Sequence, residues 1–323
     1  MGPQPQTTGS PEGGGARPYA PLRVSLALQL AAPHTWPAAI LPVLFGVALA
    51  AVSGATVSVA LAMALLCIAV LMQAAANTLN DYFDYLKGAD KQENQVDPSD
   101  AVLVYHNVSP RSVLFLAVAF LGAALALGLY VIWCAGWVPL AIGCVGAAII
   151  LLYSGGRTPL SYLPLGELAS GFTMGCLISL ASYQALTLRF DPIVLCLSIP
   201  FLLGIALIMF TNNTCDIEKD VEAGRRTLPT LLGRRNAARA YRGALVVWVL
   251  AITALTAGFF THGLIVIPFM LLVLYPTLKA LWKSPFVLQS RIQAMSLCLN
   301  ANIGLGAFYI VAVLASPLLS LVW

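Results

Sequence analysis

The stretch Phe210-Thr211-Asn212-Asn213-Thr214-Cys215-Asp216-Ile217-Glu218-Lys219-Asp220 decides how the rest of the chain is read. It closes an apolar run, and Val221-Glu222-Ala223-Gly224-Arg225-Arg226-Thr227-Leu228 follows it. Asn212, Asp216 and Asp220 are spaced i, i+4, i+8. A helix continued through them carries the three side chains as one stripe on one face. Two carboxylates a turn apart repel each other, so a bare helix gains nothing from the stripe. A hard divalent cation bridging diphosphate oxygens uses it well, because Mg²⁺ takes one or two carboxylates plus substrate phosphates. Arg225 and Arg226, just after, are placed to hold the remaining phosphate charge.

A second stretch has the same design: Asn77-Thr78-Leu79-Asn80-Asp81-Tyr82-Phe83-Asp84-Tyr85-Leu86-Lys87-Gly88-Ala89-Asp90. Asn80 and Asp84 are again i, i+4, and Asn77 lies one turn earlier. Each stripe ends an apolar segment of membrane length. The helix-phased acids Asp84, Asp216 and Asp220 are the first candidates for metal and diphosphate binding, with Asp81 and Asp90 beside them. A solvated loop explains Glu93, Asp97, Asp100 and Glu222 well and explains the phased stripes poorly.

Composition sets the class. The chain is 59% hydrophobic and 9% charged, with a mean hydropathy of +0.87. Soluble domains carry about 25% charged residues. The expected fold is therefore an all-α polytopic membrane protein. The apolar segments run without the alternation of a β-barrel, and helices satisfy their own backbone in lipid. A net charge of +4 is no nucleic-acid signature here, because its distribution follows topology. The seven cysteines lie almost all in apolar segments without a pairing motif and read as small buried hydrophobes. Cys215 reads as a spacer inside the polar stripe.

Residues 1–20 are rich in Gly, Pro and Gln and read as a disordered tail; residues 21–323 read as a single transmembrane domain. The first apolar segment is too long for a signal peptide and lacks a small-residue cleavage site. About 20 apolar residues cross a bilayer. That rule places nine helices at roughly 24–52, 56–84, 111–132, 136–154, 165–186, 192–213, 238–260, 263–282 and 292–321. Pro33, Pro37 and Pro42 are positioned to kink the first.

With that assignment, 16 of the 17 Lys and Arg residues share one side, and Arg189 alone falls on the other. The positive-inside rule makes the shared side cytoplasmic, the N-terminus inside and the C-terminus outside. Asp81, Asp84, Asp90, Asp216 and Asp220 reach the same face, although acids obey no topology rule. Both stripes end helices four apart, which suggests two similar four-helix halves face to face with a ninth helix added. Such repeats place a site at their interface.

The remaining polar positions allow more than one reading. Arg157, in Tyr153-Ser154-Gly155-Gly156-Arg157, is either a phosphate contact or a topology charge. Tyr153 either sits in an aromatic belt or shields a cation. Glu167 is either a helix-start charge or a proton-handling group. Lys87 and Lys91 are candidate substrate cations in a loop where solvated charges are equally at home. His34 and His106 lack ligand spacing and read as structural. Asn300 and Asn302 read as interhelical hydrogen-bonding groups.

Asn80-Asp81-Tyr82-Phe83-Asp84 and Asp216-Ile217-Glu218-Lys219-Asp220 resemble the two aspartate-rich motifs of the UbiA superfamily of intramembrane prenyltransferases. The resemblance runs from about Pro33 to the end of the chain. Asn80 to Asp90, Tyr153-Ser154-Gly155, Leu165-Gly166-Glu167 and Asn212 to Leu228 look most like the MenA branch, which acts on 1,4-dihydroxy-2-naphthoate. The chain departs from the pattern at Gly88, His34 and Cys215, and in the loop after Asp90, where the usual arginine is missing. The resemblance implies nine helices around a central cavity capped by cytosolic loops, in a multi-pass protein of the cell membrane. It implies Mg²⁺ held by Asp84, Asp216 and Asp220, with Asn80, Asp90 and Asn212 assisting. Arg157, Arg225 or Arg226 then stabilises the leaving group, with Asn77, Asp81, Lys87, Lys91, Tyr153 and Glu167 around the substrate. The implied reaction transfers a polyprenyl group from polyprenyl diphosphate to 1,4-dihydroxy-2-naphthoate, losing CO₂ and pyrophosphate and giving demethylmenaquinone. Another aromatic acid such as 4-hydroxybenzoate is the alternative acceptor, and a membrane carrier is the alternative class. No protein partner is evident.

Overall fold

The computed structural model describes residues 19–86, 102–156 and 158–316. Among them the chain is helical, with no strand beyond one isolated bridge from Ala20 to Val108. The elements are α1 (Val24–Ala31), α2 (Pro37–Val52), α3 (Val59–Leu86), α4 (Val102–His106), α5 (Pro110–Ala135), α6 (Val138–Ser154) and α7 (Gly166–Gly171). A π-helical turn over Phe172–Leu177 leads into α8 (Ile178–Thr187). Then come α9 (Ile193–Leu197), α10 (Ile199–Cys215), α11 (Ile217–Glu222), α12 (Leu228–Phe259), α13 (Val266–Lys283) and α14 (Arg291–Leu314). Five helical stretches are long and apolar enough to cross a membrane: α3, α5, α12, and α13 and α14 each with the short turn before it. The broken stretch Val24–Val52 makes a sixth if its bent halves are one span.

That first stretch shows how the sequence shapes the cavity wall. Ala32 is left-handed at φ 46°, and one turn over Pro33–Thr35 separates α1 from α2, which diverge by 54°. A left-handed non-glycine residue costs roughly 1–2 kcal/mol. Side-chain bonds from α3 offset the cost. Asn77 Nδ2 donates to the Ala31 carbonyl at 3.1 Å and to Thr35 Oγ1 at 2.9 Å, and Gln73 Nε2 reaches Thr35 Oγ1 at 3.3 Å. Trp36 Nε1 adds a bond to the Ala31 carbonyl at 2.9 Å.

The core joins both ends of the chain. Phe45 of α2 lies 4.9 Å from Phe201 of α10 and 5.2 Å from Tyr309 of α14, ring centre to ring centre. The outer faces remain apolar and exposed, as lipid contact requires. Trp133, 87% exposed, and Trp137 flank the α5–α6 turn, where an interfacial aromatic belt belongs. Behind the cavity, Gly171 and Gly175 stand four residues apart against α10. A Cβ at either would overlap the backbone of Leu202. Small residues at this spacing let two helix backbones approach closely.

The helix through Asn212, Asp216 and Asp220 is not continuous, contrary to the sequence expectation. Asp216 departs from helical geometry at φ −102° and ψ 19°, ending α10 and opening α11. The backbone ladder still crosses the break: Asp216 N bonds the Asn212 carbonyl at 3.1 Å, and Asp220 N bonds the Asp216 carbonyl at 2.8 Å. Arg234 fastens this corner from α12. It donates to the Thr214 and Phe286 carbonyls and to Glu218 Oε2.

Candidate functional site

A cavity of about 610 Å³ opens between the ends of α3, α10 and α14. Its mouth carries Asn77, Asn80, Asp81, Asp84, Asn212, Asp216, Lys219, Asp220, Arg225 and Arg291. Its interior is apolar and rich in flexible side chains, among them Ile149, Met174, Ile205, Met209, Met295 and Leu299. The two polar stripes are far apart in sequence and share this one opening. The π-helical turn re-aims its wall, bringing Thr173 and Met174 onto the cavity. π-bulges occur frequently at functional sites. Thr173 Oγ1 is buried and has no hydrogen-bond partner among the described residues.

Arg225 joins the stripes. Its Nη2 lies 3.0 Å from Asp84 Oδ1 and its Nη1 lies 3.7 Å from Asp220 Oδ1. Its guanidinium also stacks 4.8 Å over the Tyr162 ring. Gly224, at φ 71°, turns the chain so that Arg225 N bonds the Asp220 carbonyl at 2.8 Å. Asn80 Nδ2 donates to Asp84 Oδ2 at 3.2 Å. On the other side Arg291 Nε lies 3.1 Å from Asp216 Oδ2 and 3.0 Å from Asn212 Oδ1. In the sequence Arg291 reads only as a topology charge at the start of the last helix. No local pattern marks it, because its partners lie 75 and 79 residues earlier.

The other expected site residues divide between the cavity wall and its surroundings. Asp81 is buried at the edge of the mouth, and its Oδ2 accepts from Val102 N at 2.9 Å, so it ties α3 to the start of α4. Asn77 lines the mouth while bonding the α1–α2 break. Tyr153 lines the cavity. Glu167, only 4% exposed, is not in the wall: its Oε1 accepts from Asn213 Nδ2 at 2.9 Å, and its Oε2 has no partner among the described residues. Arg226 is exposed outside the cavity, and its backbone N–H bonds the Tyr162 carbonyl at 2.8 Å. Of the adjacent pair Arg225 and Arg226, Arg225 is the one that lines the cavity. Asn300 and His34, read as structural, both line the cavity; Asn302 is buried beside Gly204 of α10. Lys87, Asp90, Lys91 and Arg157 lie outside the described residues.

The electrostatics follow from burial. Asp220 is 3% exposed, and burial pushes its carboxyl up to about 6 despite the pull of Arg225. Burial lowers the Arg225 guanidinium, but Asp84 and Asp220 outweigh it and hold the group above the ordinary arginine value. Glu218 is held below its usual range chiefly by the hydrogen bond from Arg234. A raised acid favours its neutral form in the fold. Its contribution is fully present below the ordinary value of 3.8 and is lost as pH rises through about 6. Metal-free protein should therefore gain about 1 kcal/mol of stability between about pH 7.5 and pH 5. Glu218 does not interfere, since its contribution is lost only at lower pH. Thermal melting across that range checks this: Asp220→Asn should flatten the profile, and a wild-type melting temperature that falls with pH contradicts it.

Among the described residues no three acidic, His or Cys side chains gather closely enough to hold an ion by themselves. The donors instead form two half-sites, Asn80 with Asp84 and Asn212 with Asp216 and Asp220, across one opening. Such half-sites fit Mg²⁺ carried in with phosphate oxygens, since that ion dehydrates reluctantly and seldom takes an all-protein cage.

A family model described as the UbiA prenyltransferase family matches residues 39–296. The 1,4-dihydroxy-2-naphthoate octaprenyltransferase of Bacillus subtilis is 38% identical over 65% of this chain and 66% of its own length, just under two thirds. The protein of that name from Mycobacterium tuberculosis is 33% identical over 67% of this chain and 73% of its own. In fold, the chain is similar to a UbiA homologue from Archaeoglobus fulgidus solved with DMAPP and Mg²⁺. The TM-score is 0.59 at 17% identity, covering 87% of this chain and 99% of the other.

Proposed function

This chain belongs to the UbiA prenyltransferase family, and from that premise we propose that it prenylates 1,4-dihydroxy-2-naphthoate. A polyprenyl diphosphate is the donor, CO₂ and pyrophosphate are lost, and the product has the demethylmenaquinone skeleton. The observation that carries this is the pair of half-sites, with Arg225 and Arg291 between them, over an apolar cavity. The two relatives named for this reaction support the acceptor.

Asp84, Asp216 and Asp220, assisted by Asn80 and Asn212, would hold Mg²⁺ with the diphosphate. When bound, the ion neutralises the diphosphate and stabilises the charge that develops on it. Arg225 and Arg291 bind phosphate oxygens and hold the leaving pyrophosphate as the allylic carbon–oxygen bond breaks. The Ile and Met walls take the polyprenyl tail and keep water from the allylic cation. The naphthoate ring supplies the electron pair for the new carbon–carbon bond, and its carboxylate departs as CO₂.

Nine membrane crossings, with the N-terminus and the mouth on the cytoplasmic side of the cell membrane, accommodate these parts. The one-sided distribution of Lys and Arg supports that orientation. Sealed inverted membrane vesicles, given Mg²⁺, radiolabelled polyprenyl diphosphate and the naphthoate, should release pyrophosphate and CO₂ in equal amounts. Right-side-out vesicles should release neither. With 4-hydroxybenzoate, pyrophosphate without CO₂ and no turnover of the naphthoate would reassign the acceptor. Movement of donor across vesicles with no pyrophosphate from any acceptor would make the protein a carrier.

A further inference from the structure

Two arginines in the mouth stand against one oxygen of each acid that a metal ion would use. Arg225 takes Asp84 Oδ1 and approaches Asp220 Oδ1; Arg291 takes Asp216 Oδ2 and Asn212 Oδ1. The contacts are largely shielded from solvent, with Asp216 and Asp220 both buried. Buried carboxylates without a counter-charge are costly, so the fold needs cations here when no ligand is present. A guanidinium against these carboxylates offsets their negative charge and repels a divalent ion, so the two cations compete for the same carboxylates. A diphosphate changes the balance, because its oxygens match the guanidinium fork as well as a carboxylate does.

We infer that Arg225 and Arg291 are exchangeable counter-ions that make cation binding depend on the diphosphate. In the empty mouth they neutralise the carboxylates and keep a lone divalent cation out. A diphosphate draws both guanidiniums onto its own oxygens and so releases Asp84, Asp216 and Asp220 to the cation it carries. Cation and diphosphate then raise each other's affinity by the same factor, as linkage requires. Arg225 couples the half-sites, because it pairs with acids of both stripes. The inference rests on the metal–diphosphate reading of the mouth and adds an order of events to it.

The test uses the purified full chain in nanodiscs, with Mn²⁺ as the cation and methylenediphosphonate as the diphosphate. Protein-bound Mn²⁺ is counted by electron paramagnetic resonance against protein-free controls. Wild type should bind Mn²⁺ weakly alone and at least about ten-fold more tightly with the diphosphonate, the scale of one shielded charge contact. Arg225→Gln and Arg291→Gln should each bind lone Mn²⁺ about ten-fold more tightly than wild type and lose most of the enhancement. Arg→Lys at either position should keep the wild-type pattern. Gln variants that elute and melt like wild type yet bind lone Mn²⁺ no better would overturn the exchange while leaving the site standing. Wild type alone decides the matter if the variants do not fold: equal Mn²⁺ affinity with and without the diphosphonate overturns the exchange. No Mn²⁺ binding under either condition overturns the exchange together with the site.

Discussion

Asp216→Asn should lower turnover by about a thousand-fold or more, the scale seen when a preorganised electrostatic contact to a developing charge is removed. Asp216 stands at the break between α10 and α11, 7% exposed, with Arg291 3.1 Å from its Oδ2. The amide matches the carboxylate in shape and removes its charge, so the half-site loses its strongest oxygen donor. A second effect must be separated from the first. The substitution takes the carboxylate from a half-buried Arg291 that keeps Asn212 Oδ1 at 3.0 Å, so the loss of stability is expected to be smaller than the about 3–5 kcal/mol of a stranded buried charge. The double variant Asp216→Asn with Arg291→Gln removes both charges and should recover most of the melting temperature. It should recover none of the turnover. Asp84→Asn makes a useful companion, because Arg225 keeps its contact to Asp220 and less stability is at stake. More than a tenth of wild-type turnover in Asp216→Asn protein that folds would remove this carboxylate from the chemistry.

The contrast between Asp216 and Arg291 shows what the sequence could and could not disclose. Asp216 belongs to a local repeat, and four-residue spacing in an apolar segment is visible without any tertiary knowledge. Arg291 acquires its place only because α14 packs beside the end of α10, a contact spanning 79 residues to Asn212. Arg225 and Arg226 are adjacent and chemically alike, yet one enters the mouth and the other is exposed outside it. The left-handed turn at Gly224 and the bond from Arg226 N to the Tyr162 carbonyl fix that difference, and neither is written in the charge pattern. Glu167 is a related case. A lone acid among apolar residues signals a special environment, and here Glu167 stands behind the wall and holds Asn213 of α10, which lines the cavity. Asn77 stabilises a bend in the chain and lines the mouth as well, so its polar character serves two ends that sequence cannot divide.

Gly175 offers a signal that hydropathy hides. Gly171 and Gly175 are four apart, the spacing by which membrane helices bring their backbones together. Both abut Leu202 of α10, and a Cβ at Gly175 would overlap its amide nitrogen. A leucine there places four carbon atoms where two backbones touch, so α10 must move or the helices must part. Overpacking a core typically costs 1–3 kcal/mol, and backbone cannot yield as a side chain does, so about 3 kcal/mol or more is expected. At roughly 2–4 °C per kcal/mol, Gly175→Leu should lower the melting temperature by on the order of 10 °C. Activity should fall further than stability, because α10 carries Asn212 and ends beside Asp216. Gly143→Leu and Gly128→Leu provide the comparison, since a Cβ at either meets nothing within 4 Å. Leucine also forms helix better than glycine by roughly 0.5–0.8 kcal/mol, so those two variants should melt at or slightly above wild type. If Gly175→Leu melts with them, α7 to α8 and α10 are not held at backbone distance, and the second half-site is positioned by something other than this contact.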